Sequence, residues 1–209
     1  MDEGGNSTAN SIDRCGILMT MVHEVTHQGM NHPRAHQNQI AFRSERLSLR
    51  PWANSDAAFH RGLWEERDER VPAWRRISVD GHPTHAEMEA WIRTCRPAPE
   101  PGLLVVENRL TAVRMGYCGL VDNSVGQPDE PELAYDFLQE FWGQGFATEA
   151  SRVVIDRALE IGYRCLSSTV RVWNTASLHV LGKLGFVLTG EREHDAVHGD
   201  SLLLRLSLR

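Results

Sequence analysis

Apolar and polar residues fall into regular periods only from about Arg43 onward. Residues 1–42 are rich in Asn, Ser, Gly, Gln and His and hold few large apolar residues at any steady spacing, which predicts a polar, flexible extension ahead of a domain spanning 43–209. In ERLSLRPW, beginning at Glu45, Leu47 and Leu49 alternate with charged and hydroxyl neighbours until Pro51 stops the run, as in a half-buried strand. Helical spacing follows over 56–66 and over 84–94, where Met88, Trp91 and Ile92 share a face. Strands are predicted over 102–107 and 114–122, joined by a polar hairpin turn at Asn108 and Arg109. After an acidic loop ending at Pro131, the pattern predicts a strand over 132–138 and a helix over 145–161 closed by Gly162. A strand over 165–172, a helix over 174–184 ending at Gly185, and strands over 186–190 and 201–208 complete the chain, with no internal repeat.

Composition narrows the function classes. A formal net charge of −6 gives no general attraction to phosphate backbones or anionic membranes, so neither nucleic acid nor membrane is expected as a partner. Cys15, Cys95, Cys118 and Cys165 form no CxxC pair, which argues against a zinc ribbon or dithiol site and for reduced thiols in a cytoplasmic protein. No apolar run approaches the ~20 residues that span a bilayer.

The chemistry concentrates in FWGQGFATEA, Phe141 to Ala150. Two glycines precede an amphipathic helix whose first amides have no intrahelical partner and point outward with the positive end of the helix dipole. Gly143 and Gly145 permit close backbone approach, so a pyrophosphate fits there as well as a plain turn does.

With ERLSLRPW, ELAYDF, VWNTASLHVLGKLGF and the closing GERE, this loop resembles the GNAT superfamily of acyl-CoA N-acyltransferases, within it the branch of ribosomal-protein N-terminal acetyltransferases. The resemblance covers about Arg43 to Leu208 and implies an α/β fold with a mixed, mostly antiparallel twisted sheet and helices on both faces. It also implies a V-shaped splay between the strands at Glu132 and Cys165, where acetyl-CoA enters as co-substrate. The amides of Gln144, Gly145, Phe146, Ala147 and Thr148 would then face the pyrophosphate, and exposed backbone at Phe137 and Leu138 would pair with the pantetheine arm. Trp142 stands where many members of the superfamily carry Gln or Arg, which removes a side-chain phosphate contact. Asn174 matches an asparagine near the cofactor arm and Ser177 a hydroxyl near the thioester sulfur; helix capping accounts equally for both.

The resemblance implies transfer of an acetyl group to a primary amine, either a protein N-terminus or a small molecule. Glu132 matches the position of a general base, or else edges a solvent-facing strand, with Tyr135 as the alternative base; Ser177 is the candidate donor to the thiolate. Dimerisation is common in that branch, and no sequence feature bears on it here. Two other readings stand beside this one: a non-catalytic CoA-binding regulatory module, and a zinc hydrolase built on His23, Glu24 and His27 of HEVTH. HEVTH lies in the polar extension and falls one residue short of the longer zinc spacing at Gly29 and His32, so no metal is expected; His36, His194 and His198 read as solvated. Trp64, Trp74 and Trp91 read mainly as core, with one of them a candidate lining for the acceptor pocket.

Overall fold

The computed structural model describes residues 41–95, 99–123, 127 and 129–209. HEVTH, His36, Cys15 and almost all of the polar extension lie outside the described residues.

Among the described residues, eight strands form one sheet: β1 (Phe42–Arg43), β2 (Leu47–Arg50), β3 (Leu103–Asn108), β4 (Arg114–Val121), β5 (Glu132–Phe137), β6 (Cys165–Arg171), β7 (Val187–Glu193) and β8 (Ser201–Ser207). Their spatial order is β1-β2-β3-β4-β5-β6-β8-β7, and every pairing is antiparallel except β5 with β6. Strand β1 was not predicted, because two residues cannot show a period. The β3–β4 connection is longer than a two-residue hairpin. The Asn108 side-chain oxygen accepts from the N–H groups of Leu110 (2.9 Å) and Thr111 (3.1 Å), and Ala112 turns the chain at a φ of 57°.

Four helices among the described residues cover the sheet: α1 (Ala57–Glu65), α2 (His85–Thr94), α3 (Phe146–Glu160) and α4 (Thr175–Leu184). Buried Arg50 at the end of β2 anchors the start of α1 by pairing with Asp56 (2.6 Å) and Glu107 (2.6 Å), while Asp56 also accepts from the Ala53 N–H (2.8 Å). A reciprocal cap of Thr84 and Glu87 opens α2. The main core lies between the sheet and the α3–α4 layer, where Leu133, Phe137, Phe146, Val154, Leu166 and Leu181 are buried together. A second cluster on the other layer joins Ala57, Trp64, Met88 and Ile92, with Trp52 and Trp91 packed against it.

Between β5 and β6 the ladder stops almost at once. One register pair, Glu132 with Ser167, is formed, and the Ser167 N–H donates to the Pro131 carbonyl at 3.0 Å. The next rung would join the Thr169 N–H to the Leu133 carbonyl. Side chains occupy it instead: the Glu132 carboxylate accepts from the Thr169 N–H (3.0 Å), and the Ser168 hydroxyl donates to the Leu133 carbonyl (3.3 Å). Beyond this point the two strands have no further register pair, so the expected splay starts at Glu132.

Candidate functional site

The loop between β5 and α3 presents unmatched donors. Gly143 and Gly145 have φ values of +71° and +83°, a left-handed conformation that L side chains rarely adopt, and Gly145 caps α3 without any side-chain bond. The first backbone bond of the helix runs from the Glu149 N–H to the Gly145 carbonyl (3.0 Å). Among the described residues, the N–H groups of Gly143, Gln144, Gly145, Phe146, Ala147 and Thr148 have no acceptor within the chain. They lie at the positive end of a 15-residue helix.

The turn is held from the side. Glu149 accepts from the Ser44 hydroxyl (2.7 Å), the Arg46 N–H (2.9 Å) and Arg46 Nε (2.7 Å), while Arg46 Nη1 donates to the Gln144 carbonyl (3.2 Å). A cavity of about 580 Å³ opens beside Gly145 and Thr148, with Arg43, Arg46, Arg152 and Lys183 in its wall. Trp142 is 56% exposed, and its Nε1 donates to the Phe137 carbonyl at 2.6 Å, so the indole braces the turn.

This brace shifts the open edge of β5 away from the expected place. The Leu138 N–H donates to the Met115 carbonyl and the Leu138 carbonyl accepts from the Phe141 N–H, both at 3.0 Å. Leu138 is therefore satisfied internally, and the Phe137 carbonyl is taken by Trp142. The antiparallel alternation with β4 turns the backbone groups of residues 133, 135 and 137 toward the gap, leaving the N–H and carbonyl of Tyr135 and the N–H of Phe137 free to pair with an extended ligand.

Strand alternation also sorts the side chains. Leu133, Tyr135 and Phe137 face the α3–α4 layer, whereas Glu132 and Asp136 face the opposite side. On the first side, the Tyr135 hydroxyl donates to the Ser177 carbonyl (3.2 Å), and burial pushes the phenol well above its usual range, so it keeps its proton. Asn174 caps α4 by accepting from the Ser177 N–H at 3.1 Å. Tyr135, Asn174 and Ser177 thus meet at the start of α4, and Glu132 approaches the gap from the other face.

Glu132 is 9% exposed, and burial raises its carboxyl to about 7 against the opposing pull of the Thr169 amide and the Arg75 charge. Near neutral pH it can both take and release a proton. Asp136, on the same face, also has its proton affinity raised by burial; it pairs with Arg67 at 2.9 Å, and Arg67 reaches the Tyr117 hydroxyl at 3.1 Å. Asp136, Arg67 and Arg75 were missed in the sequence. The only sequence signal for them was the even spacing of Asp136 from Glu132, which puts both on one face of a strand.

Trp64 is buried, Trp91 packs with Trp52 around His60, and Trp74 is 60% exposed with its ring edge-on to His198. His194 and His198 pair with Asp200 and Asp195. Among the described residues, no group of three or more His, Cys, Asp or Glu side chains could hold a metal, and no helix is long and apolar enough to cross a membrane.

Comparison with known proteins agrees with this geometry. An uncharacterized protein of Bacillus subtilis, YkkB, is 30% identical over 84 residues, 40% of this chain and 49% of that relative, so the matched region spans about half of the relative's length. Among solved structures, the ribosomal L7/L12 alpha-N-protein acetyltransferase RimL in complex with coenzyme A superposes with a TM-score of 0.66 at 17% identity, covering 81% of this chain and 98% of that one. The spermidine N-acetyltransferase SpeG of Vibrio cholerae superposes with a TM-score of 0.60 at 19% identity, covering 78% and 95%. At these identities the structures establish the fold. Residues 46–187 match the model of the acetyltransferase (GNAT) domain, a stretch that contains the glycine turn, the splayed strands and the start of α4, and the chain belongs to the GNAT acetyltransferase family.

Proposed function

We propose that this protein transfers the acetyl group of acetyl-CoA to a primary amine. The observation that carries the reading is the run of six unmatched N–H groups from Gly143 to Thr148 at the start of α3. A diphosphate seated there gains several charge-assisted hydrogen bonds and the favourable end of the helix dipole. The adjoining cavity, whose wall carries four cationic side chains alongside the acids Glu45, Glu149 and Asp156, has room for the nucleotide end of the coenzyme. The free backbone groups of Tyr135 and Phe137 suit the amide-bearing arm, whose thioester then lies in the gap between β5 and β6.

The amine reaches the thioester from the face that bears Glu132. An ionised Glu132 carboxylate takes a proton from the amine as nitrogen bonds to the acetyl carbon, and the carbon–sulfur bond breaks to release thiolate. Ser177 and Tyr135 lie on the thiolate side; a phenol is the stronger acid of the two, while a serine hydroxyl orients the sulfur by hydrogen bonding. Because thiolate leaves readily, alignment of amine and thioester contributes much of the rate. The structural relatives include an enzyme for a protein N-terminus and one for spermidine, so both kinds of amine belong in the acceptor panel.

Titration calorimetry with acetyl-CoA, followed by thiol detection across peptides and small amines, tests the reading. Micromolar binding and amine-dependent thiol release are expected. Binding with no release on any amine would leave a coenzyme-binding module, and no heat of binding to the folded protein would end the proposal altogether.

A further inference from the structure

The face of β5 that carries Glu132 and Asp136 is crossed by residues 66–76, which follow α1. This segment is tied at both ends of its path. Glu66 accepts from the Gln139 N–H (2.7 Å) and Gln139 Nε2 (2.9 Å) near the end of β5. Farther along, the Arg70 guanidinium lies 4.3 Å above the ring of Trp173, just past β6, and Trp74 packs edge-on to His198 between β7 and β8. The segment therefore bridges the opening between β5 and β6 on the side away from α3.

Its four arginines differ in their pairing, and Arg70 is held by Asp68 (2.7 Å). Arg67 is engaged, with Asp136, with the Tyr117 hydroxyl and with the Arg75 carbonyl (2.9 Å). Arg75 and Arg76 each leave one donor unmet: among the described residues, the Nε of each is buried and has no hydrogen-bond partner, and the charge of Arg76 also acts on Asp68. Arg67 joins the Arg75 carbonyl (2.9 Å) to the Asp136 carboxylate (2.9 Å), which places Arg75 on this face of β5, where its charge acts on the carboxyls of Glu132 and Asp136. Buried donors of a charged group rarely stay unmet in native proteins unless a ligand or water completes them. A guanidinium presents a planar fork that matches a carboxylate in two parallel hydrogen bonds.

Resting on the acetyl-transfer reading, we propose that the acceptor amine also carries a carboxylate, held by Arg75 with Arg76 beside it while the amine lies at Glu132. Two sources share this chemistry: the α-carboxylate of a free amino acid, and an acidic side chain next to a peptide N-terminus.

Thiol release by the full 209-residue chain on matched acceptors tests the proposal. One pair is an amino acid and its carboxamide; the other is a short peptide with Asp in second place and the same peptide with Asn. The carboxylate member of one pair is expected to be favoured by about tenfold or more in kcat/KM, the size of a lost hydrogen bond to a charged group, and the pair that shows the preference identifies the source. Arg75→Gln is expected to remove the preference, read as the ratio of kcat/KM between the two members of a pair, while acetyl-CoA binding is unchanged; Arg75→Lys restores part of the ratio. Equal rates within both pairs, or a preference that survives replacement of Arg75 and Arg76 together by Gln, would overturn the proposal and leave acetyl transfer standing. Intact acetyl-CoA binding with no transfer to any amine would overturn both.

Discussion

In the proposed reading, recognition on the α3 side of the split sheet rests mainly on main chain, six amides of one contiguous loop and the open edge of Tyr135 and Phe137. On the other side it rests on side chains gathered from separate stretches, Arg67 and Arg75 after α1, Tyr117 on β4, and Glu132 and Asp136 on β5. Main-chain donors do the same work whatever side chains surround them, provided that the glycines allow the turn. A site made of charged side chains is instead remade by one substitution. The coenzyme half is thus set by backbone conformation, while the acceptor half is where specificity can vary on an unchanged fold.

The sharpest way to break this contrast is at Glu132. Glu132→Gln is expected to lower kcat by about 10²- to 10⁴-fold at pH 7, in the range of a lost general base, and to leave acetyl-CoA affinity unchanged in calorimetry. In the wild type the rate should climb as pH rises through about 7 and then level; in the variant that step disappears, and higher pH restores part of the rate by supplying neutral amine. An unchanged pH profile would remove Glu132 from the role.

Gly145→Leu probes the other half. Its φ of +83° strains any L side chain at a cost of about 1–3 kcal/mol, so acetyl-CoA should bind about tenfold to a hundredfold more weakly. Weakened binding of the acceptor instead, with acetyl-CoA affinity intact, would reverse the assignment of the two sides.

A third comparison concerns stability. His60 is 1% exposed between the rings of Trp52 (4.7 Å) and Trp91 (4.6 Å), and burial lowers it from 6.5 to about 3. Below pH 6.5 the unfolded chain takes up a proton that the folded chain refuses, so His60 makes stability fall by about 1.4 kcal/mol per pH unit as acid is added. Glu132 acts in the opposite sense. Its folded carboxyl keeps its proton up to about 7 against 4.5 when exposed, so its contribution is full below 4.5 and is lost at a similar slope as pH rises toward 7. The two oppose each other between 4.5 and 6.5. Urea unfolding should show stability rising with pH more steeply in Glu132→Gln than in the wild type, and less steeply in His60→Phe; parallel curves for all three would refute both burial arguments.

The smallest effect is expected at Ser177. Its N–H serves the Asn174 cap and its carbonyl serves Tyr135, so Ser177→Ala keeps both contacts and should lower kcat by less than about tenfold. Tyr135→Phe should cost more if the phenol delivers the proton, and a larger loss from Ser177→Ala than from Tyr135→Phe in thiol-release rates would reverse that order.

Much of the fold was legible because its signals are local. Leu47 and Leu49 alternate before a proline, α3 follows two glycines, and Gly162 and Gly185 close α3 and α4, all features that neighbouring residues set by sterics and capping. The glycine turn was legible for the same reason. Trp142 as a brace on the Phe137 carbonyl was not, since an indole five residues beyond its acceptor shows no period. Nor was the satisfied state of Leu138, which depends on Met115 across the sheet and on the short turn that follows β5.

What the sequence alone determined is therefore the order of the longer strands and helices and the glycine turn at Gly145, because main-chain conformation responds to residues within a few positions. Only the tertiary structure decided that the β5–β6 ladder gives way to the Glu132 carboxylate, that Tyr135 and Ser177 share one face while Glu132 and Asp136 share the other, and that Arg75 is brought to the face of the buried Glu132 and the half-buried Asp136. Those relations join residues about 40 to 70 positions apart, and their energies depend on burial and distance, which arise only when the sheet has closed over its core.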